Sequence, residues 1–494
     1  DRAVALDAAP VSLKENVVFQ KAWLLYNEGA YREAATAFVN LYESDPQSDR
    51  KADALFWAAE SHYQIGNFAR AEALFRRYLN DYPDGKHANA AHYALGWTYF
   101  KREQYERAAR SFERFLAGYD ERDGRVPYRQ DAQLRLADSY YALKRYPAAI
   151  RAYERVRGDA ADYALYQTGQ AYELAEQHDD ALDALNTLVR RYPESEWREE
   201  ALQRIGDIHF ENQDFEAAVE AYARLIDEYP DHPLAAKAQY GIGDAHYNAG
   251  DMEAAIAAYR RVLNRYPDSP FAREAASSMP FAFIALDDVA RARTVIDEFA
   301  STHPNSPLVD ALRFHLAEAL YQSGRTDEAL QSFRRFIRIS NDEALLPEAY
   351  YFLGTIYADD GEYDAAEGYL RQVLDEFAGS AKAVDAARRL GEIYLARENY
   401  TAALNAFRTM ADAAEDPLGV AEARYGQTRA LLGLNRPGNA AEMLRRAADE
   451  YAGTPAALPA QLGLARVYER QGRYDEAICT MDMPRWQSTN RVGR

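Results

Sequence analysis

Histidine is the first place to look for chemistry in this chain, because it ligates metals and moves protons near neutral pH. His87 and His92 stand five residues apart, a poor spacing for sharing a metal on one helix. His62, His209 and His246 fall at one place in a repeating pattern where other units carry Tyr99, Tyr357 or Leu25, so they read as packing residues. There is no HExxH zinc motif, phosphate-binding glycine loop or nucleophile elbow. The one cysteine, Cys479, excludes an intrachain disulfide. Asp and Glu number 78 and lie mostly on helical surfaces, where a pair for acid–base work has the same sequence pattern as a solvated face. Asn399-Tyr400-Thr401 has the form of a glycosylation sequon, yet it coincides with the repeat's own turn. The expectation is a protein without catalytic residues, cofactor or metal.

Composition narrows the partners. Lys and Arg number 58 against those 78 acids, for a net charge of -20. Nucleic acid and anionic membranes would be repelled, so proteins or peptides are the expected partners. No run of 18 apolar residues is present, so membrane insertion is not expected. The chain opens DRAVALDAAP without methionine, which suits a processed mature chain and leans toward a bacterial periplasmic or extracellular setting. Residue 1 is not cysteine, unlike a bacterial lipoprotein.

The elements that must position any binding residues come from repetition. NFARAEALFRRYLNDYP at 67–83 returns as DFEAAVEAYARLIDEYP at 214–230 and as DMEAAIAAYRRVLNRYP at 251–267. An anchor position recurs at Tyr31, Phe68, Tyr105, Tyr146, His178, Phe215, Met252, Val289, Thr326, Tyr363, Tyr400, Pro437 and Tyr474. Ten of the twelve spacings are 37 residues, and the other two are 41 and 32. Three residues past every anchor stands alanine, among them Ala34, Ala71, Ala108, Ala218, Ala255, Ala366 and Ala403. Nine residues before the anchor the residue is Ala or Gly in eleven units; seven after, it is always apolar. Each unit is therefore two apolar-faced helices split by a tight turn, with one small residue per helix letting the pair close. A larger side chain at Ala218 would overpack that crossing by roughly 1–3 kcal/mol. Tyr-Pro pairs such as Tyr82-Pro83 and Tyr229-Pro230 end the second helix.

These G-x-Y-x-x-A units, with their small, aromatic and proline positions, resemble the tetratricopeptide repeat over about residues 15–483. The resemblance implies an all-α, right-handed superhelical solenoid of about thirteen helix-turn-helix units. The 37-residue length looks like the form common in bacterial cell-envelope and secreted proteins. The expected layout is an extension at 1–14, repeats 1–7 at 15–272, repeats 8–13 at 273–483 and a tail at 484–494. Pro280 falls inside the first helix of repeat 8 and should kink or break it near 273–287. The loop 118–130 carries four extra residues, and the link after repeat 4 loses five. The second helix of repeat 13 should stop before Pro484.

The resemblance also implies that first helices show certain positions to a concave groove, 15, 12, 8, 5 and 4 residues before the anchor. In repeats 2 and 3 these include Phe56, Glu60, Tyr63, Tyr93, Trp97 and Phe100. Further along they include Tyr141, Tyr166, Asp207, Tyr240, Asp244 and Tyr247, then Glu318, Tyr321 and Tyr351. Such an aromatic, acidic lining suits a peptide with aliphatic and Lys/Arg side chains; the opposing expectation is that the rings pack on neighbouring helices. The Lys/Asn clamp of chaperone-tail binders is absent, its positions holding Phe19, Trp23, Phe56 and Glu60. Later the wall turns basic, with Arg388, Arg429, Arg466 and Arg470. Two functions follow as expectations: a non-enzymatic scaffold binding partners in the groove, or a structural protein joining head-to-tail into filaments through uncapped ends.

Overall fold

Every second helix begins at an anchor. In the computed structural model the first three hairpins pair Val11–Asn27 with Tyr31–Ser44, Lys51–Gln64 with Phe68–Asp81, and Ala88–Lys101 with Tyr105–Ala117. The pattern holds through the thirteenth, Ala457–Arg470 with Tyr474–Met481. The structure describes residues 11–44, 48–119, 126–451, 454–455 and 457–481, and among these there are 26 α-helices, one short 3-10 helix and no strand. The fold is an all-α solenoid of stacked helical hairpins. The first helix starts at Val11, inside the stretch expected as an extension; the rest of that stretch to residue 10, most of the insertion after Gly118 and the tail at 484–494 lie outside the described residues, as does the expected stop before Pro484. The chain forms two compact units, Asp1–Gly241 and Ile242–Arg494.

One backbone device makes the turn. The residue two before the anchor has positive φ in all thirteen hairpins, from Gly29 at 80° to Gly472 at 72°. Glycine reaches that region without a Cβ clash, but seven hairpins place another residue there, including Glu103 at 57° and Gln213 at 62°. The next residue then caps the second helix where its side chain allows. Asn67, Asp214, Asp251, Asp288 and Asn399 accept a hydrogen bond from the backbone N–H three residues on. The Asn399 side chain of the sequon is thus engaged as a cap. Four of the five Tyr-Pro tyrosines, Tyr82, Tyr192, Tyr229 and Tyr266, lie just past the last residue of a helix, and the fifth, Tyr146, begins one.

The core is built by small-against-large matching across each hairpin. Ala34, Ala71, Ala108, Ala218, Ala255, Ala366 and Ala403 are all 0% exposed. A Cβ on Gly96 would sit 2.7 Å from the Phe112 ring, and one on Gly169 would sit 2.6 Å from Leu185. Gly206 and Gly243 are equally crowded by Tyr222 and Tyr259. The bulky residue seven after the anchor therefore fills the space that the small residue nine before it leaves open.

Two expected irregularities look different in detail. The residues missing after repeat 4 come from the helix itself: Tyr146–Tyr153 has 8 residues where most second helices have 14, and a 3-10 turn at Gly158–Ala160 follows. Pro280 does not end its helix, which runs unbroken from Pro270 to Ala285 with the ring buried. Proline removes a single backbone hydrogen bond, and the neighbouring turns on either side carry the helix past it. The ring occupies the small-residue slot, and the two helices of this hairpin approach closely over a shorter stretch than in most others.

Candidate functional site

The residues expected to line a groove fall into three sets by position. Five before the anchor, an aromatic ring meets the anchor ring edge-on: Tyr26 on Tyr31 at 5.1 Å, Tyr63 on Phe68 at 5.5 Å, Phe100 on Tyr105 at 5.5 Å and Tyr141 on Tyr146 at 5.8 Å. One edge braces the hairpin while the ring as a whole stays half-buried. Tyr247 and Tyr321 hold the same place and are also half-buried. Twelve before the anchor, Phe56 and Tyr166 are 5% and 6% exposed. Phe56 stacks on His87 at 4.4 Å and Tyr166 on Trp197 at 5.1 Å, so both are chiefly core. Tyr93, Tyr240 and Tyr351 at that place remain half-buried; Lys382 Nζ lies 5.4 Å over the Tyr351 ring.

Eight before the anchor stand the acids, and nearly all of them are internally engaged. Tyr153, Tyr222 and Tyr259 donate their hydroxyls to Asp138, Asp207 and Asp244 at 2.8, 2.8 and 2.7 Å. In each pair the tyrosine is the bulky residue of the same hairpin. Lys237 Nζ adds a second contact to Asp207 at 2.8 Å. Glu318 pairs with His315 at 2.9 Å. Trp97 takes this place in repeat 3 and donates Nε1 to Asp131 at 2.8 Å, with the Arg135 guanidinium 5.0 Å over its ring.

Glu60 is the exception. Among the described residues its carboxylate has no hydrogen bond and no counter-ion, and burial pushes it up to about 7. It lines a cavity of about 520 Å³ with Tyr26, Trp57, Tyr63, Tyr93 and Trp97. Burial, then the charge of Glu60, pushes the Tyr63 hydroxyl up to about 12. Tyr93 donates to Asp131 at 2.7 Å, and Trp57 meets Tyr26 at 5.1 Å. Asp53 pairs with the lining residue His87; burial would raise it, but hydrogen bonds from His87 and Lys86 bring it down to about 2. Tyr26, Trp57, Ala94 and Tyr128 line the cavity without having been singled out in the sequence. The signal that would have found them is the comparison of one repeat with another at matched positions.

In the second unit, a cavity of about 660 Å³ is lined by Arg388, Glu392, Tyr425, Arg429, Leu458 and Leu462 among others. The expected basic wall is partly paired there: Arg388 bonds Asp385 at 2.7 Å and Arg466 donates to the Tyr425 hydroxyl, while Arg429 and Arg470 are exposed. No group of three metal-ligating side chains occurs among the described residues, and none of their helices is long and apolar enough to cross a membrane.

A family profile described as Tetratricopeptide repeat matches residues 19–86, 93–164, 204–270, 351–417 and 425–481, and a second of the same description matches 163–195. The chain belongs to the tetratricopeptide repeat family. A profile described as Bacterial transcriptional activator domain matches residues 272–349, where the repeat hairpins continue as Pro270–Ala285 with Val289–Thr302 and Pro307–Gln322 with Thr326–Ile339. No curated protein matches the chain. Among solved structures, Naa15/Naa10 bound to HypK-THB is 17% identical with a TM-score of 0.47, over 97% of this chain and 69% of that one. The Cut9–Hcn1 hetero-tetramer of the APC/C is 14% identical with a TM-score of 0.30, over 97% and 94%. The MamA protein is 18% identical with a TM-score of 0.31, over 37% and 93%.

Proposed function

We propose that this repeat protein is a non-enzymatic scaffold holding partner proteins or peptides on the concave face formed by its first helices. The observation that carries the reading is the cavity around Glu60, where aromatic rings that brace hairpins leave part of their surface to a ligand. Tyr240, Tyr247, Tyr321 and Tyr351 offer half-buried rings at matching positions later in the chain. Hairpins repeat those positions at a regular interval, which suits an extended or helical polypeptide. The net charge of -20 favours such a partner over nucleic acid. The test is selection from a displayed random-peptide library. Enriched peptides should lose binding to Trp97→Ala or to Tyr247→Ala while both variants stay helical and folded; binding indifferent to both substitutions would sink the groove as the site.

A second reading, self-assembly, has its own support. Seven before the anchor the residue is buried in the interior repeats, as at Ser61, Thr98, Ile208 and Ala245, but Leu24 in repeat 1 is 59% exposed. Four after the anchor Ala35, Ala109, Ile150 and Ile256 are buried, but Ile478 in repeat 13 is 59% exposed. Both are inter-repeat surfaces, and unlike ends of two copies could mate to extend a filament. Light scattering across a concentration series tests it: growing mass that disappears with Leu24→Asp or Ile478→Asp favours assembly, and a constant 55.9 kDa excludes it.

A further inference from the structure

We propose that the cavity over Glu60 receives one basic side chain, a lysine or arginine, from a partner polypeptide lying across the first helices of repeats 1–4. The proposal deepens the scaffold reading and rests on it.

The argument is internal to the chain, because the same face recurs and shows how acids on it are normally satisfied. The first device is a tyrosine seven past the anchor, as in the Asp138–Tyr153, Asp207–Tyr222 and Asp244–Tyr259 pairs. Repeat 2 has Phe75 there, which lacks the hydroxyl. The second is a cation eleven before the anchor, reaching back to the preceding repeat. Arg204 bonds Glu173 at 2.7 Å and Arg389 pairs with Asp359, acids five and four before their anchors; at Glu60's own place, eight before, Arg135 covers the Trp97 ring at 5.0 Å. The matching residue in repeat 3 is Ala94, and it lines the cavity. The third is a lysine fifteen before the anchor, Lys237 on Asp207 at 2.8 Å. Repeat 3 has Ala90 there, which also lines the cavity.

All three partners are thus replaced at once, two of them by alanine, and the space they would fill is open. Glu60, half-buried at the open cavity, is left without a hydrogen bond or counter-ion among the described residues, so a cation brought to it there gains more than it would in open water. A ligand cation restores what Arg135 and Arg204 provide elsewhere: charge for the acid and a guanidinium or ammonium over an aromatic face. The surroundings favour positive charge. Behind the lining, Asp131 accepts from Tyr93 and Trp97 and Asp53 pairs with His87, and the nearby cations Arg135 and Lys86 are already held by Asp131, Asp138 and Asp53. Tyr26, Trp57, Tyr63 and Tyr93 supply the walls.

The experiment titrates the full chain with three blocked pentapeptides, Gly-Gly-X-Gly-Gly with X as Arg, Lys or Gln, following tryptophan fluorescence and heat. The Arg or Lys peptide should bind at least tenfold more tightly than the Gln peptide. Glu60→Gln should lower basic-peptide affinity to that of the Gln peptide while melting no lower than the parent. Ala94→Arg, which installs the internal cation, should block binding and raise the melting temperature. Equal affinity for Arg and Gln peptides, or undiminished binding by Glu60→Gln, would overturn the proposal. Competition by n-butylguanidine as strong as by the Arg peptide would make the occupant a small amine and overturn the polypeptide. Library peptides that lose binding on Tyr247→Ala but ignore Glu60→Gln would defeat the cavity and leave the scaffold standing. A chain that binds no library peptide at all loses both.

Discussion

Glu60 carries a stability signature independent of any ligand. Its folded-state carboxyl sits near 7 instead of the ordinary 4.5, because burial disfavours the charge. The folded chain then holds a proton that the unfolded chain has released, so stability falls as pH rises from about 4.5 to about 7 and is flat beyond. The groups facing it, Tyr26, Tyr63, Asp131 and the Asp53–His87 pair, include no free cation that would reverse the sign. Glu60→Gln should be as stable as the parent at pH 4 and more stable at pH 8 by on the order of 1–3 kcal/mol. Denaturant unfolding at the two pH values reads the difference directly, and a variant weaker at pH 8 would show that the carboxylate is satisfied. A satisfied acid gives the contrast. Tyr222→Phe leaves Asp207 with one donor fewer and should cost about 1 kcal/mol. At this scale the chain was only partly legible. The family resemblance marked Glu60, Tyr63 and Trp97 as one face, and with them Phe56 and Tyr166, whose rings turn against His87 and Trp197, Phe56 still lining the Glu60 cavity. That turn depends on the neighbouring repeat's side chains, which a single-helix pattern does not contain. The absence around Glu60 became visible only once Arg135, Arg204 and Lys237 had shown where a partner would come from.

At the scale of the hairpin, small-against-large matching and the positive-φ turn make separate claims. Gly206→Ala drives a methyl into the Tyr222 ring and should cost about 1–3 kcal/mol, whereas Gly438→Ala, with open space around it, should be neutral or better on helix propensity. The turn gives the opposite experiment. Gln213 holds φ at 62°, a region that costs a side-chain-bearing residue roughly 1 kcal/mol. Gln213→Gly should therefore stabilise by a few tenths to 1 kcal/mol, and Gly250→Ala, at φ 84°, should destabilise by about as much or more. Matching thermal melts that rank these four variants otherwise would contradict the geometry. This level was the most legible, because alanine three past each anchor and the small residue nine before it are local demands of one crossing. The exception was repeat 8. A rule built on isolated helices made Pro280 a kink or a break; the break does not occur, and the helix runs on past the one lost hydrogen bond.

For the whole molecule, period decided the fold, and the ends decide its stability profile. Interior repeats bury inter-repeat faces on both sides, while Leu24 and Ile478 leave theirs exposed. Native-state hydrogen exchange should find the slowest amides in interior repeats and the fastest in repeats 1 and 13. Uniform protection in a monomeric sample would mean that something covers those ends. The solenoid architecture was legible through the family resemblance that the 37-residue repeat carries, and it agrees with the fact that one hairpin cannot bury its faces unaided. Where the chain divides could not: the compact units part at Gly241, inside the helix Pro233–Asn248, and no loop or composition shift marks the place.

The regular spacing has a mechanical consequence. Among the described residues the hydrogen bonds and ion pairs are made within a hairpin or with the next one, so they offer no distant clasp to break first when the chain is pulled from its two ends. Force should peel it one unit at a time, each releasing about 12–13 nm of chain for 37 residues. The series would carry one irregular pair of steps, a longer one and a shorter one, where the spacings of 41 and 32 lie side by side. Such a molecule yields at low force and recoils in short increments, as a spring does, with the odd pair of steps marking position along it.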